Sequence, residues 1–144
     1  MKKVQTIPRS KILLECSHDG NVLNTGTTGG DGTATNVTYS SADRGYQTQD
    51  STYGATSQTT FASTINSTVG IHFRFYPTSN TKTLFQYAVA GATISLDSGN
   101  SIVTSGITSP TVYVNNVQTT TVTLNAWNDV VITYTSLNAT AFIV

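Results

Sequence analysis

The residues that could bind a ligand are concentrated on one predicted strand. Residues Val69–Tyr76 alternate between apolar and other side chains, so His72, Arg74 and Tyr76 share the face opposite the apolar one. A sugar site needs an aromatic surface with polar neighbours, and this face offers both. Surface exposure without a ligand and packing in the core are the competing readings. The candidate ligand-binding residues are His72, Arg74, Tyr76 and Tyr87, with Tyr113 as a further aromatic.

Loop oxygens offer a second kind of chemistry, the binding of a hard cation. The segment Asp97-Ser98-Gly99-Asn100 places a carboxylate and an amide oxygen beside a glycine, and calcium takes such oxygen ligands. The same sequence is also an ordinary turn. Asp97 and Asn100 are therefore the candidate metal ligands, and calcium is the cation that they would bind; the alternative is that no cofactor is bound.

Catalysis lacks a recognisable set of residues. Glu15 is the single glutamate, and no predicted strand carries the two carboxyl groups that a glycosidase places about 5 to 9.5 Å apart. No G-x-S-x-G motif occurs for a serine nucleophile. Cys16, His18 and His72 have no zinc-ligand spacing. We expect a protein that is not an enzyme.

The composition is unusually rich in threonine and poor in charge. Charged residues make up 10% of the 144 residues, against about 25% in ordinary soluble domains, whereas there are 28 Thr and 15 Ser. Threonine is β-branched and favours strands with polar, uncharged outer surfaces. Low-complexity disorder is the alternative, but alternating runs of Val, Ile, Tyr and Phe favour a packed core.

The basic residues are concentrated at the start of the chain. Four of the seven lie within the first eleven positions, and the rest of the chain has three basic and seven acidic residues. This distribution argues against nucleic acid as a partner. No apolar run predicts a secretion signal or a membrane span. The basic segment either solubilises the chain or docks on an acidic surface; its residues are Lys2, Lys3, Arg9 and Lys11.

The sequence predicts that short β-strands position these residues. Apolar alternation recurs about every 8 to 12 residues with turn residues between, and no segment keeps a helical period, so an all-β sandwich or barrel is expected. The clearest stretch is Pro110–Thr135. It predicts a strand at Thr111–Val114, an Asn-Asn turn, a strand at Gln118–Leu124, and Trp127 anchoring the core ahead of a strand at Asp129–Thr135. Residues 1–10 are predicted to be an arm and residues 11–144 a single domain.

Several segments together resemble laminin-G-like modules of the concanavalin A-like lectin and glucanase superfamily, of the kind found in phage and virus surface proteins. One is the Tyr-Val-Asn-Asn of residues 113–116 together with the Trp-Asn-Asp-Val-Val of residues 127–131. The others are GTATNVTY (residues 32–39), VGIHFRFYPTSNTKTLFQYA (residues 69–88) and ATISLDSGNSIV (residues 92–103). The resemblance implies an all-β, antiparallel, jelly-roll-like β-sandwich with non-enzymatic recognition of glycan or protein.

Two departures from the family pattern bear on function. Arg74 stands where members often have a tryptophan, and the chain stops at Val144 where members continue into a strand that closes the sheet. The last apolar strand is therefore expected to end unpaired, and such an edge would favour aggregation. Either the domain lacks its closing C-terminal strand through truncation, or an identical subunit or the N-terminal arm completes the edge; an oligomer is the favoured alternative.

These observations predict a structural or decoration protein on the surface of a phage or virus particle. Its basic arm would anchor it to other virion proteins, and it would be located on the virion surface or outside the cell. The alternative is a lectin-like module that binds cell-surface glycans. We expect neither a membrane nor a nucleic acid as a partner.

Overall fold

The structure, a computed structural model, describes residues 33–35, 37–40, 45–48, 58–61, 70–87, 92–135 and 142–143. These residues form antiparallel β-sheets, and no helix occurs among them, so this part of the chain has none suited to crossing a membrane. The chain divides into two compact units, Met1–Thr64 with Ile143 and Ile65–Phe142 with Val144. The arm over residues 1–10 and the single domain over 11–144 stay predictions.

The first unit contains four short strands in two antiparallel pairs. They are β1 (Thr33–Thr35) with β4 (Gln58–Phe61), and β2 (Val37–Ser40) with β3 (Gly45–Thr48). The sequence of this region predicts one strand over Thr35–Tyr39, a polar connection through Gly45, and a strand over Ser57–Phe61. β2 and β4 confirm the two strands, β1 is an additional one, and β3 begins at Gly45, inside the predicted connection. The prediction of a connection was wrong because the sequence GYQT has no apolar alternation, and its extended form depends on backbone pairing with β2.

One sheet of the second unit carries the strand that sequence analysis singled out. Its order is β10-β9-β11-β5, and every neighbouring pair is antiparallel. Asn115 and Asn116 have φ angles of 51° and 66°, as a tight hairpin turn with right-handed strand twist requires. The strands are β5 (Gly70–Phe75), β9 (Thr111–Val114), β10 (Val117–Gln118) and β11 (Asn128–Thr133).

The remaining strands are β6 (Lys82–Tyr87), β7 (Thr93–Leu96) and β8 (Ile102–Ser105) of this unit, and β12 (Phe142–Ile143), of which Phe142 belongs to this unit. These four strands are neighbours in the order β12-β6-β7-β8. The last apolar strand, β12, therefore has a strand neighbour, β6, within the chain. The expectation that it ends unpaired was wrong, because a pairing between strands distant in sequence leaves no local signal.

The predicted strand Gln118–Leu124 is also shorter than expected, since β10 ends at Gln118. The Thr121 N–H donates to Thr119 Oγ1 over 3.2 Å, a local hydrogen bond that competes with extended pairing. Thr120 and Val122 form backbone hydrogen bonds at the start of β8. The Ile102 N–H donates to Thr120 O, and the Val122 N–H donates to Asn100 O. The segment thus leaves the sheet of β9 and β11.

Apolar side chains of both sheets are buried. Ile94 and Leu96 of β7 and Val130 and Ile132 of β11 have no more than 1% of their surface exposed. The rings of Phe73 and Phe85, on strands of different sheets, have centroids 4.4 Å apart. This core fixes the inward face of β5 and β11, and the alternation of side chains then turns the other face outward.

Candidate ligand-binding site

The outer face of β5 carries the predicted ligand-binding residues. Burial along the strand alternates between exposed and half-buried residues, and His72, Arg74 and Tyr76 are all exposed. The alternation predicted for this segment is confirmed over Gly70–Tyr76. The antiparallel register sets Arg74 opposite Asp129 and His72 opposite Val131 on β11, so these five side chains belong to one outer face.

Trp127 joins this face instead of the core. It is 42% exposed, so the prediction that it anchors the core was wrong. The reason is the period of the strand that follows. Val130 and Ile132 point inward, which turns positions of odd number outward, and Trp127 has the parity of Asp129 and Val131.

The indole of Trp127 lies against two residues of the β5 segment. The guanidinium carbon of Arg74 is 4.9 Å from the centroid of the indole, a cation–π contact. The ring of Tyr76 meets it edge-on, with centroids 5.7 Å apart and planes at 70°. Tyr76 itself is 46% exposed. The result is an exposed aromatic surface with a cation held on one of its rings, which we call the Trp127 cluster (Arg74, Tyr76 and Trp127).

A hydrogen-bonded pair borders the Trp127 cluster. His72 Nε2 lies 3.0 Å from Asp129 Oδ1, and both side chains are exposed. Opposite charges directly across a sheet usually attract, and Arg74 is directly across from Asp129. The carboxylate of Asp129 nevertheless contacts His72. Within the described part of the chain, no carboxylate lies within 4.0 Å of the Arg74 guanidinium.

A buried asparagine fixes the loop from which Trp127 projects. Asn128 is fully buried. Its Oδ1 accepts a hydrogen bond from Thr123 N–H (2.9 Å), and its Nδ2 donates to Thr123 O (2.8 Å) and Ala126 O (2.9 Å). The Asn125 N–H donates to Pro77 O at 2.8 Å. Because Pro77 follows the β5 segment, these bonds tie the Trp127 loop to the strand that carries Arg74.

A second asparagine fixes Asp129. The Asp129 N–H donates to Asn115 Oδ1 at 3.0 Å, and Asn115 N–H donates to Asp129 O at 2.8 Å. Sequence analysis named neither Asn128 nor Asp129 as a functional residue. The signal that could have found them is the alternation in Trp127-Asn128-Asp129, where the middle residue must point inward if its neighbours point outward.

The remaining predicted residues do not join this site. Tyr87 is the last residue of β6, a strand of the other sheet. Tyr113 of β9 is half-buried and lies opposite Val131, one strand farther from β5. The predicted anchoring residues lie outside the described part of the chain; they are Lys2, Lys3, Arg9 and Lys11.

The predicted cation ligands form a turn. Asp97 Oδ1 accepts hydrogen bonds from the backbone N–H of Gly99 and of Ser101, both at 2.8 Å. Asn100 has a φ of 61°, and its Oδ1 accepts from Asn80 Nδ2 at 3.1 Å. Both oxygens thus accept hydrogen bonds from protein donors, as expected if the segment is an ordinary turn and not a cation site. Among the described residues, no group of three or more His, Cys, Asp or Glu could hold a metal.

A shallow groove of about 360 Å³ lies apart from the Trp127 cluster, and Ile102, Thr104 and Gln118 are among the residues that line it. None of its lining residues is ionisable. The groove therefore offers hydroxyl and amide groups but no acid, base or charge for recognition.

Comparison with protein-family models, curated proteins and solved structures returned no match to this chain.

Proposed function

We propose that this chain is a non-enzymatic carbohydrate-binding module and that the outer face of the β10-β9-β11-β5 sheet binds the glycan. One observation carries the proposal: an exposed tryptophan and an exposed tyrosine are in contact on this face beside Arg74. Sugar rings present C–H groups that pack on aromatic rings, and their hydroxyl groups exchange hydrogen bonds with polar side chains at the border, donating to a carboxylate. His72 and Asp129 supply that border.

The surroundings make the Trp127 cluster stand out. The chain has few charged residues and one tryptophan, yet an arginine, an aspartate, a histidine and that tryptophan meet on one face. An exposed aromatic patch with a polar rim is typical of a recognition surface. Buried hydrogen bonds from Asn128 hold the patch in place, so little conformational entropy is lost when a ligand binds.

The proposed architecture is an antiparallel, jelly-roll-like sandwich of the laminin-G-like type. Each sheet of the second unit buries one face, and Phe73 packs against Phe85, which supports face-to-face packing of the two sheets. The jelly-roll connectivity rests on the resemblance of the sequence segments. Absence of enzymatic activity is part of the proposal: Asp129 is the one carboxylate on this face among the described residues, whereas glycoside hydrolysis needs two.

A second candidate function is structural, as a decoration protein on a phage or virus particle. The observation that favours it is the uncharged, threonine-rich composition combined with basic residues gathered in the first eleven positions. Deleting residues 2–11 should abolish incorporation into the particle and leave the sheets folded. Normal incorporation of the deleted chain would remove this candidate.

A glycan array probed with the full chain tests the main proposal. We expect a defined set of glycans to bind, with the signal lost in Trp127→Ala and in Tyr76→Ala. The matched control is Val103→Ser, an exposed apolar residue of β8 on the other sheet, which should bind as the wild type does. A folded chain that binds no glycan, or binding that survives Trp127→Ala, would refute the proposal. A stable homo-oligomer without any glycan signal would favour the structural candidate.

A further inference from the structure

The guanidinium of Arg74 contacts the indole of Trp127 but has no charged partner among the described residues. It rests on the indole of Trp127 at 4.9 Å, and no carboxylate of the described residues is within 4.0 Å of it. At this distance the positive charge of Arg74 lies over the face of the indole, in a cation–π contact. The guanidinium of Arg74 carries five N–H donors in a rigid planar fork, and no carboxylate of the described residues engages that fork.

His72 accounts for the missing partner. Asp129 lies directly opposite Arg74 in the antiparallel register, where an ion pair across the two strands would be expected. Its Oδ1 is instead 3.0 Å from His72 Nε2. The histidine therefore holds the carboxylate that would otherwise neutralise Arg74.

From this geometry we propose that Arg74 binds the carboxylate of an acidic sugar, a uronic or sialic acid residue, with its paired N–H groups. The inference rests on the proposed carbohydrate-binding function and names its ligand class. His72 acts as a positioning residue that keeps Asp129 away from Arg74. The sugar ring bearing the carboxylate lies over the aromatic side chains of Tyr76 and Trp127.

The chemistry of the guanidinium selects this ligand. Two parallel N–H groups match the two oxygens of a carboxylate, and such charge-assisted pairs are stronger than neutral hydrogen bonds. Lysine offers a point charge without that fork. A sulfate group on a sugar presents oxygens of the same charge in tetrahedral array, so a sulfated glycan must be compared directly with a carboxylated one.

Calorimetry on the full chain with matched sugars tests the inference. The probes are oligogalacturonate and its methyl ester, sialyllactose and lactose, and sulfated lactose. We expect at least one carboxylated probe to bind about tenfold or more tightly than its uncharged counterpart, the effect of one charge-assisted pair. Arg74→Ala and Arg74→Lys should both remove that preference, while Val103→Ser keeps it.

The outcomes separate the two proposals. If no probe and no array glycan binds, the carbohydrate-binding function itself fails. If glycans bind through Trp127 but charged and uncharged counterparts bind equally, or Arg74→Ala changes nothing, only the acidic-sugar inference fails. A preference for sulfated lactose with no binding of carboxylated probes would also overturn it.

A double substitution tests the role of His72. His72→Ala frees Asp129 to pair with Arg74, so affinity for the carboxylated probe should fall by about tenfold. His72→Ala combined with Asp129→Asn should restore the affinity, because the competing charge is gone. Thermal melting confirms that each variant is folded. A structural role for His72 alone would give no such recovery, and wild-type affinity in His72→Ala would refute the positioning role.

Discussion

Asn128 should be indispensable for the stability of the Trp127 loop. It is fully buried, and its amide makes three hydrogen bonds of 2.8 to 2.9 Å to the backbone of Thr123 and Ala126. Asn128→Ala removes all three and leaves their backbone partners unpaired. At about 1 kcal/mol net per hydrogen bond, the free energy of unfolding should fall by about 3 kcal/mol. The melting temperature should then fall by about 10 °C for a chain of this size.

Asn128→Asp sharpens the test because it keeps the shape and changes the donors. In the wild type, Asn128 Nδ2 donates hydrogen bonds to Thr123 O and Ala126 O. An ionised aspartate would place a negatively charged oxygen against these two carbonyl oxygens and repel them. These carbonyl groups and burial raise the pKa of such a carboxyl group. The folded state then binds its proton more tightly than the unfolded state, so the variant should gain stability as the pH falls and lose it as the pH rises.

Urea unfolding measures both effects, followed by circular dichroism and by the fluorescence of Trp127, the one tryptophan of the chain. The control is Gln118→Ala, an exposed position of β10 in the same sheet, for which we expect a change within about 0.5 kcal/mol. If Asn128→Ala loses no more stability than Gln118→Ala, the amide does not fix the loop and the reasoning is wrong.

Three further predictions concern the fold. Gly106→Ala should destabilise the chain by about 1 to 3 kcal/mol, because Gly106 has a φ of 67° and an added Cβ would lie 2.9 Å from Ala92 Cα; thermal melting checks this, and a neutral result would contradict the close approach. Ile94→Ala should cost about 2 to 5 kcal/mol in urea unfolding, since Ile94 is fully buried, whereas Val103→Ala, at an exposed position of β8, should cost little. Added calcium should leave the melting temperature unchanged, since Asp97 Oδ1 and Asn100 Oδ1 already accept protein hydrogen bonds; a saturable rise in the wild type that Asp97→Ala abolishes would restore the cation site.

The sequence predicts most of the local structure where side chains alternate. The outer face of β5 and the Asn115-Asn116 turn follow from local patterns, and both are confirmed. β3 and the pairing of β12 escaped prediction because pairing between strands, not the apolar pattern of the segment, produces them.

Part of the candidate site was predictable, and its key residue was misplaced. His72, Arg74 and Tyr76 follow from the period of their own strand. Trp127 was assigned to the core from its residue type, although the parity of β11 turns it outward. The contact between Trp127 and Arg74 joins residues from distant parts of the chain, so neither segment alone reveals it.

The fluorescence of Trp127 during titration with a glycan tests the central claim most directly. Trp127 is the single tryptophan and is 42% exposed, so its emission reports the proposed site alone. Titrating the full chain with a glycan that binds on the array should change the emission saturably, with the Kd found by calorimetry, and Tyr76→Ala should weaken both. Calorimetric binding that leaves the emission unchanged and persists in Trp127→Ala would show that the glycan binds elsewhere and contradict the account.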